Sequence, residues 1–430
     1  MEPSSSTSSS KKSLAGWLAL AMLLVVLPWG VYLTVGTSLS EFGASRLGAK
    51  LEQSSNGLIA DAPAFLRNRI REIVLLSTML FGLIVGGAVL ERAVRHRVRT
   101  LFLWIPLSVY VFVAANLLLL AAEDTAVFWV GMVPLGGGNK QAIFHTNRTV
   151  LRESQATNRG VVIGSSQGGT EIRAGELSRD LRPEAEFGNL SYAGSGAFDF
   201  LLLQDQYLPL HPRLVVVYTS EMTFHNELGE GRFLPFLNPQ NAMVLSEMGW
   251  KGAKSGSVWT GLGAYLLPSF RVRRAVELSV FGSESGEFRA RIKSGPKKSI
   301  EEVADERSRG YQIDGDTEIL KRAFQRFLEI NAREGITTVL ILGQVNPLLE
   351  ERISSEVKSD YREFLLAQAN AKTPAVIVLS DLPRHEFADY EPNDLMHIHS
   401  HVRSEFTSEL AARIKPILEL DGDTSERQIP

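Results

Sequence analysis

The chain of 430 residues contains no cysteine. That excludes a disulfide framework, a thiolate nucleophile and any cysteine-ligated zinc or iron–sulfur centre. An excess of positive charge is also missing. The formal net charge is −3 and the isoelectric point is about 6.3, with no long basic stripe in the C-terminal part, so nucleic acid is not an expected partner. The glycine-rich turn GSSQGGT, 164–170, lacks both the Walker Gly-Lys-Ser/Thr ending and the full G-x-G-x-x-G spacing, which argues against a phosphate loop. Mean hydropathy, +0.01, averages two unlike halves.

The first half is dominated by apolar runs. Residues 1–13 form a serine-rich polar tail that cannot bury a core. Three stretches without charge follow, 14–36, 73–90 and 101–122. The first is long enough for a bilayer core of about 30 Å at about 1.5 Å per residue, and it is longer than a typical signal-peptide core. Between the second and third lie Arg92, Arg95, Arg97 and Arg99. The positive-inside rule places that loop, and Lys11 and Lys12, in the cytoplasm. Arg67, Arg69 and Arg71 oppose this assignment from the outer side. The expectation is a membrane module over 14–135 with three spans, a cytoplasmic N-terminus and everything beyond residue 123 outside the cytoplasm, as in a periplasm.

From residue 140 the pattern alternates strands and helices. Apolar, β-branched runs at 161–164, 214–219, 337–343 and 375–380, with a weaker one at 187–194, read as strands covered on both faces. Helices are predicted over 316–335, capped by Asp316 and ended by Gly335, and over 402–420, with Val402, Phe406, Leu410 and Ile414 on one stripe. The fold class is α/β: an open, mostly parallel sheet with helices on both sides over 140–420, followed by a polar tail, 421–430. Residues 228–312 break the rhythm and read as an insertion, a lid or partner surface, in which Trp250, Trp259, Tyr265 and Phe270 pack over the site, against the membrane or within the insertion itself. His225 is expected at the surface or in that lid.

Ligands bind beyond the C-terminal strand ends of such sheets. Gly164-Ser165-Ser166-Gln167-Gly168 stands at one of them and matches the nucleophile-elbow pattern G-x-S-x-G. Position in the chain argues against the α/β-hydrolase fold, because about forty residues separate the last span from the serine, too few for the strands that precede that elbow. A serine nucleophile needs a base and an orienter. Asp394 and His397, in EPNDLMHIHSH, are three residues apart in a polar loop. In a tight turn the carboxylate reaches one imidazole nitrogen and leaves the other for a hydroxyl. His399 and His401 extend the series and raise a zinc site as an alternative, but no second ligand cluster accompanies them, so no metal or other cofactor is expected. Gln344 and Asn346 follow the fourth strand and are candidate substrate contacts, unless Asn346 simply starts the turn at Pro347.

VVIGSS after the first strand and DLMH near the C-terminus, about 230 residues apart, resemble the two signature blocks of the SGNH/GDSL hydrolases. The resemblance covers 155–420. It implies a three-layer α/β/α, flavodoxin-like domain with Ser166 as nucleophile, Asp394 as orienter and His397 as base; Ser165 is the alternative nucleophile. It further implies oxyanion donors at Gly194 or Gly196 and at the end of the third strand, where Ser220 is the nearest match and Thr219 and Asn226 are alternatives. The asparagine usual in that block is absent, and one such donor is worth about 3–4 kcal/mol. Members with Gly-Ser-Ser look like membrane-anchored enzymes that handle acyl groups on cell-envelope polymers. Two functions follow as expectations. One is a membrane-tethered serine esterase or O-acyltransferase acting on an envelope polysaccharide, glycolipid or related polymer. The other is a catalytically weak binding subunit that serves a membrane acyltransferase or exporter.

Overall fold

The computed structural model describes residues 104–123, 140–154, 158–225, 239–248, 266–272, 298–369 and 375–422, with single positions between 80 and 92 and at 128, 129, 156 and 263. The tail 1–13, span 14–36, most of span 73–90, the N-terminal lysines, the arginine loop beyond Arg92, Asn226, Trp250, Trp259, Tyr265, the side chain of Phe270 and the segment 423–430 lie outside the described residues. The chain divides into two compact units at Phe128–Trp129.

In the first unit, helix α1 covers Trp104–Glu123 and meets no charged residue before Glu123. Val109, Val111, Phe112, Val113, Leu117 and Leu120 are each about half exposed. Side chains are described from Val109 onward, and among the described residues no helix is long and apolar enough to cross a membrane.

The second unit is α/β. Five parallel strands, β1 Arg159–Gly164, β2 Glu186–Asn189, β3 Leu214–Thr219, β4 Thr337–Leu342 and β5 Val376–Leu379, pair in the order β2-β1-β3-β4-β5. Every residue of β3 is buried, as its unbroken apolar run requires of a central strand. The weak fifth run forms only β2, and its second half, from Leu190, turns away.

Alternation of side chains along the strands divides the core. Val161, Ile163, Val215, Val217 and Leu340 face one side with helices α2 Lys140–Glu153, α5 Ala197–Tyr207, α6 Gly315–Arg333 and α7 Ser355–Ala367. Val162, Val216, Tyr218, Val339 and Ile341 face the other with α4 Ala174–Asp180 and α8 Ser400–Gly422. A short helix, α3 Ser166–Glu171, joins β1 to α4.

Two sequence expectations need correction. Asp314, not Asp316, caps α6: its side chain accepts from the N–H groups of Asp316 at 2.9 Å and Thr317 at 3.1 Å. An N-cap must sit outside the helix with extended backbone, and Asp316 already lies in the first turn. Gly335 ends the helix as expected, at φ +75°. On α8, Phe406, Leu410 and Ile414 join the sheet core, whereas Val402 packs with Tyr390 and Ile398 of the preceding loop. From the insertion, helix Ile300–Ser308 is described, and Ala304 packs in one cluster with Tyr311, Val345, Leu349, Leu395 and Met396.

Candidate active site

The turn after β1 is built for close approach. A Cβ on Gly164 would stand 3.0 Å from the Cα of Gly168 and 3.1 Å from Cβ and O of Tyr218, and one on Gly168 would stand 3.1 Å from Tyr218 Cβ. The glycines let α3 seat directly on the end of β3. Ser165 is the N-cap, and its side chain accepts from the N–H of Gln167 at 3.4 Å. That leaves the hydroxyl of Ser166 to face outward from the turn.

Ser166 meets the far end of the chain. His397 Nε2 lies 3.0 Å from Ser166 Oγ, and His397 Nδ1 lies 2.8 Å from Asp394 Oδ2. The other carboxylate oxygen, Oδ1, accepts from the N–H groups of Met396 at 2.8 Å and His397 at 3.1 Å. An acceptor at Nδ1 places the ring proton there and leaves Nε2 to accept from the serine hydroxyl. Burial raises the Asp394 carboxyl, but the hydrogen bond and charge of His397, with the two N–H groups, outweigh it and hold the group below the ordinary aspartate value.

The loop that presents Asp394 and His397 is closed on itself. Asp394 N–H donates to Glu391 O, and Glu391 N–H donates to His397 O, both at 2.9 Å. Asn393 supplies a left-handed residue at φ +62°, and Arg403 Nε donates to Ile398 O at 2.8 Å. The side chains of His397 and Asp394 remain 28% and 33% exposed, so a substrate can reach the imidazole from solvent.

The other expected site residues occupy strand ends as anticipated, but most have their polar groups engaged locally. Gly194 has φ +79°, and its turn docks on β1 through Tyr192 N–H to Gly164 O at 3.0 Å, which brings it to the strand end that carries Ser166. Gly196 is different: its N–H donates to Asp199 Oδ2 at 3.0 Å and starts α5. Ser220 is buried and its N–H donates to Thr223 Oγ1 at 3.0 Å, while Thr219 Oγ1 donates to Ile341 O at 2.8 Å. Gln344 spends its amide on the 383–385 loop, donating to Pro383 O at 2.8 Å and accepting from His385 N–H at 2.9 Å. Asn346 is fully buried, its Oδ1 accepts from Leu348 N–H at 2.9 Å, and its backbone N–H donates to Leu395 O at 3.0 Å. Gln344 and Asn346 therefore brace the site loops, and Asn346 starts the turn at Pro347, the alternative raised for it.

His225 also departs from expectation. It is 2% exposed, with Nδ1 at 3.0 Å from Glu221 O and Nε2 at 2.9 Å from Asp360 Oδ2, which Lys321 also pairs through Oδ1 at 2.6 Å. Charged partners on α6 and α7 pull it inside. His399 and His401 stack on each other with ring centroids 5.6 Å apart, and among the described residues no group of three or more His, Asp or Glu is placed to hold a metal.

Three functional neighbours carried no motif. Asn189, the last residue of β2, donates to the carbonyls of Gly168 and Ile172, both at 2.9 Å. Gln167 is fully buried beside Ser166. Glu171, at the end of α3, is fully buried, and burial pushes its carboxyl up to about 8 against the opposing pull of the Tyr218 hydroxyl and Arg403, with the Asp394 charge adding to the rise. No spacing or pattern in the sequence marked them. No protein-family model matches the chain, and no curated protein matches it.

Proposed function

We propose that this chain is a membrane-tethered serine esterase or O-acyltransferase of the SGNH/GDSL type, acting outside the cytoplasm on an ester of a cell-envelope polysaccharide, glycolipid or related polymer. The observation that carries the reading is the hydrogen-bonded series Ser166–His397–Asp394 at 3.0 and 2.8 Å. The sheet order β2-β1-β3-β4-β5 is that of flavodoxin-like doubly wound sheets, which supports the three-layer SGNH arrangement. The three uncharged runs at 14–36, 73–90 and 101–122 and the arginine loop between the last two support the membrane tether and its orientation.

In this mechanism Ser166 Oγ forms a bond to the ester carbonyl carbon while its proton passes to His397 Nε2. Asp394 holds the ring orientation and stabilises the imidazolium. Collapse of the tetrahedral intermediate breaks the bond to the leaving oxygen, which takes the proton from His397. Water or a sugar hydroxyl then gives its proton to His397 and attacks the acyl carbon, and the bond to Ser166 Oγ breaks as His397 returns that proton to the serine. Water makes the reaction hydrolysis; a sugar hydroxyl makes it transfer. Gly194 and the N–H of Ser166 are the oxyanion donors of this reading.

A second reading, a catalytically weak accessory subunit for a membrane acyltransferase or exporter, is favoured by one observation. The N–H of Gly196 is already engaged with Asp199, and no asparagine stands directly at the end of the third strand, which thins the supply of oxyanion donors. A fluorophosphonate probe separates the two. Labelling of the full chain that disappears in Ser166→Ala and His397→Ala is the result expected of the enzyme, and an unlabelled wild type favours the accessory subunit.

A further inference from the structure

Gln167 follows Ser166 directly and is fully buried. Its Nε2 donates to Gln344 O at 2.7 Å and to Met396 O at 3.3 Å. Both partners are carbonyls, which settles the orientation of the amide. Met396 stands between Asp394 and His397, and its own N–H donates to Asp394 Oδ1 at 2.8 Å. One side-chain nitrogen thus ties the helix that begins at the nucleophile to the peptide between orienter and base. The same nitrogen reaches the end of β4 through Gln344.

Gln167 Oε1 is buried without a hydrogen-bond partner among the described residues, so the amide works through its nitrogen end alone, on the two carbonyls. Ser166 and His397 come from segments 231 residues apart. Their separation depends on what fixes one segment against the other, and Gln167 is a direct link between them.

We propose that Gln167 is a positioning residue that sets the Ser166–His397 contact by holding the 394–397 loop against α3. The inference rests on the hydrolase reading above. It acts on the rate of nucleophilic attack and not on substrate affinity, since displacements of about 1 Å at reacting groups cost about a hundredfold in rate.

The test uses the full chain in detergent micelles and a fluorophosphonate, with kinact and KI measured separately. In that reaction Ser166 Oγ bonds to phosphorus, fluoride leaves, and the serine proton passes to His397. Gln167→Met is expected to lower kinact by about ten- to a hundredfold with KI unchanged within about twofold. Because kinact is a per-site constant, a smaller folded fraction lowers the amount labelled and leaves kinact unmoved. Gln167→Glu adds a second readout: its kinact relative to wild type rises as pH is lowered from about 8 to about 5.5, because a protonated carboxyl regains one donor. Where Gln167→Met yields no folded protein, Gln167→Glu carries the test. An unchanged kinact in Gln167→Met, or a pH-independent ratio in Gln167→Glu, overturns the positioning role and leaves the hydrolase reading standing. A wild type that does not label, or that labels equally as Ser166→Ala, overturns both.

Discussion

Gly164 and Gly168 touch backbone to backbone: a Cβ on the first would stand 3.0 Å from the Cα of the second. The turn that carries Ser166 is therefore as tight as the chain allows, and its glycines serve packing, not phosphate. Gly164→Ala has Gly168 and the rigid Tyr218 backbone against it, and is expected to destabilise the domain by about 1–3 kcal/mol. Gly169 is the internal control, since a Cβ there meets only Ser191 Cβ at 3.5 Å. Gly169→Ala should be neutral or stabilising by about 0.5–1 kcal/mol. Thermal melting of the two variants side by side checks the contrast; equal melting temperatures contradict it.

Replacing Asp394 by Asn keeps the size of the side chain and removes its charge. Oδ1 can still accept from Met396 and His397, so the turn survives. His397 loses the partner that selects its tautomer, and fluorophosphonate labelling is expected to slow by about 10³–10⁴-fold with little change in melting temperature. Labelling at the wild-type rate would show that Asp394 is only a turn residue. The native carboxyl lies below the ordinary aspartate value, so its contribution to stability is present above that value and is lost as acid carries the pH down through the folded-state value.

Glu171 works in the opposite sense. Its folded value is raised from 4.5 to about 8, so the folded protein holds a proton that the unfolded chain releases. Its stabilisation is complete below about 4.5 and is lost as pH rises to about 8. Glu171→Gln is expected to flatten the decline of melting temperature across this window and to leave its largest gain over wild type at the alkaline end. Parallel curves for variant and wild type would refute the assignment.

At the start of α6, Asp314→Ala should cost about 0.5–2 kcal/mol in urea unfolding, because two first-turn N–H groups lose their acceptor. Asp316→Ala should cost less, since its side chain does not fill the cap position.

The proposed membrane orientation is open to a direct measurement. Ser425→Cys introduces the protein's sole thiol, because the native chain has none. An impermeant maleimide applied to intact cells is expected to label it. Labelling only after lysis would reverse the assignment.

Local patterning carried far. Unbroken apolar runs announced four of the five strands, a weaker run marked the fifth, and 214–219 coincides with β3 residue for residue. Ser166, Asp394 and His397, which the structure brings within hydrogen-bond distance, were singled out by two short motifs, one after the first strand and one in a polar loop near the C-terminus. Gly196, Ser220, Gln344 and Asn346 were expected near strand ends, and the structure adds which neighbours their polar groups meet. A strand end says where a side chain stands, whereas hydrogen-bond partners such as Asp199, Thr223, His385 and Leu348 decide whether its polar atoms are available. His225 was assigned to the surface because nothing nearby in the chain marks the Asp360 and Lys321 that hold it inside.

By itself the sequence determined the alternation of strands and helices, the absence of thiol chemistry and the two motifs that carry the candidate chemistry, because these depend on residue type and short-range periodicity. The tertiary structure alone decided that Ser166 and not Ser165 faces His397, that Asn189 and Gln167 brace the turn, and that Glu171 is buried behind it. Those outcomes depend on contacts between segments as much as 231 residues apart, and no local pattern records which distant backbone group a buried amide or carboxyl will meet.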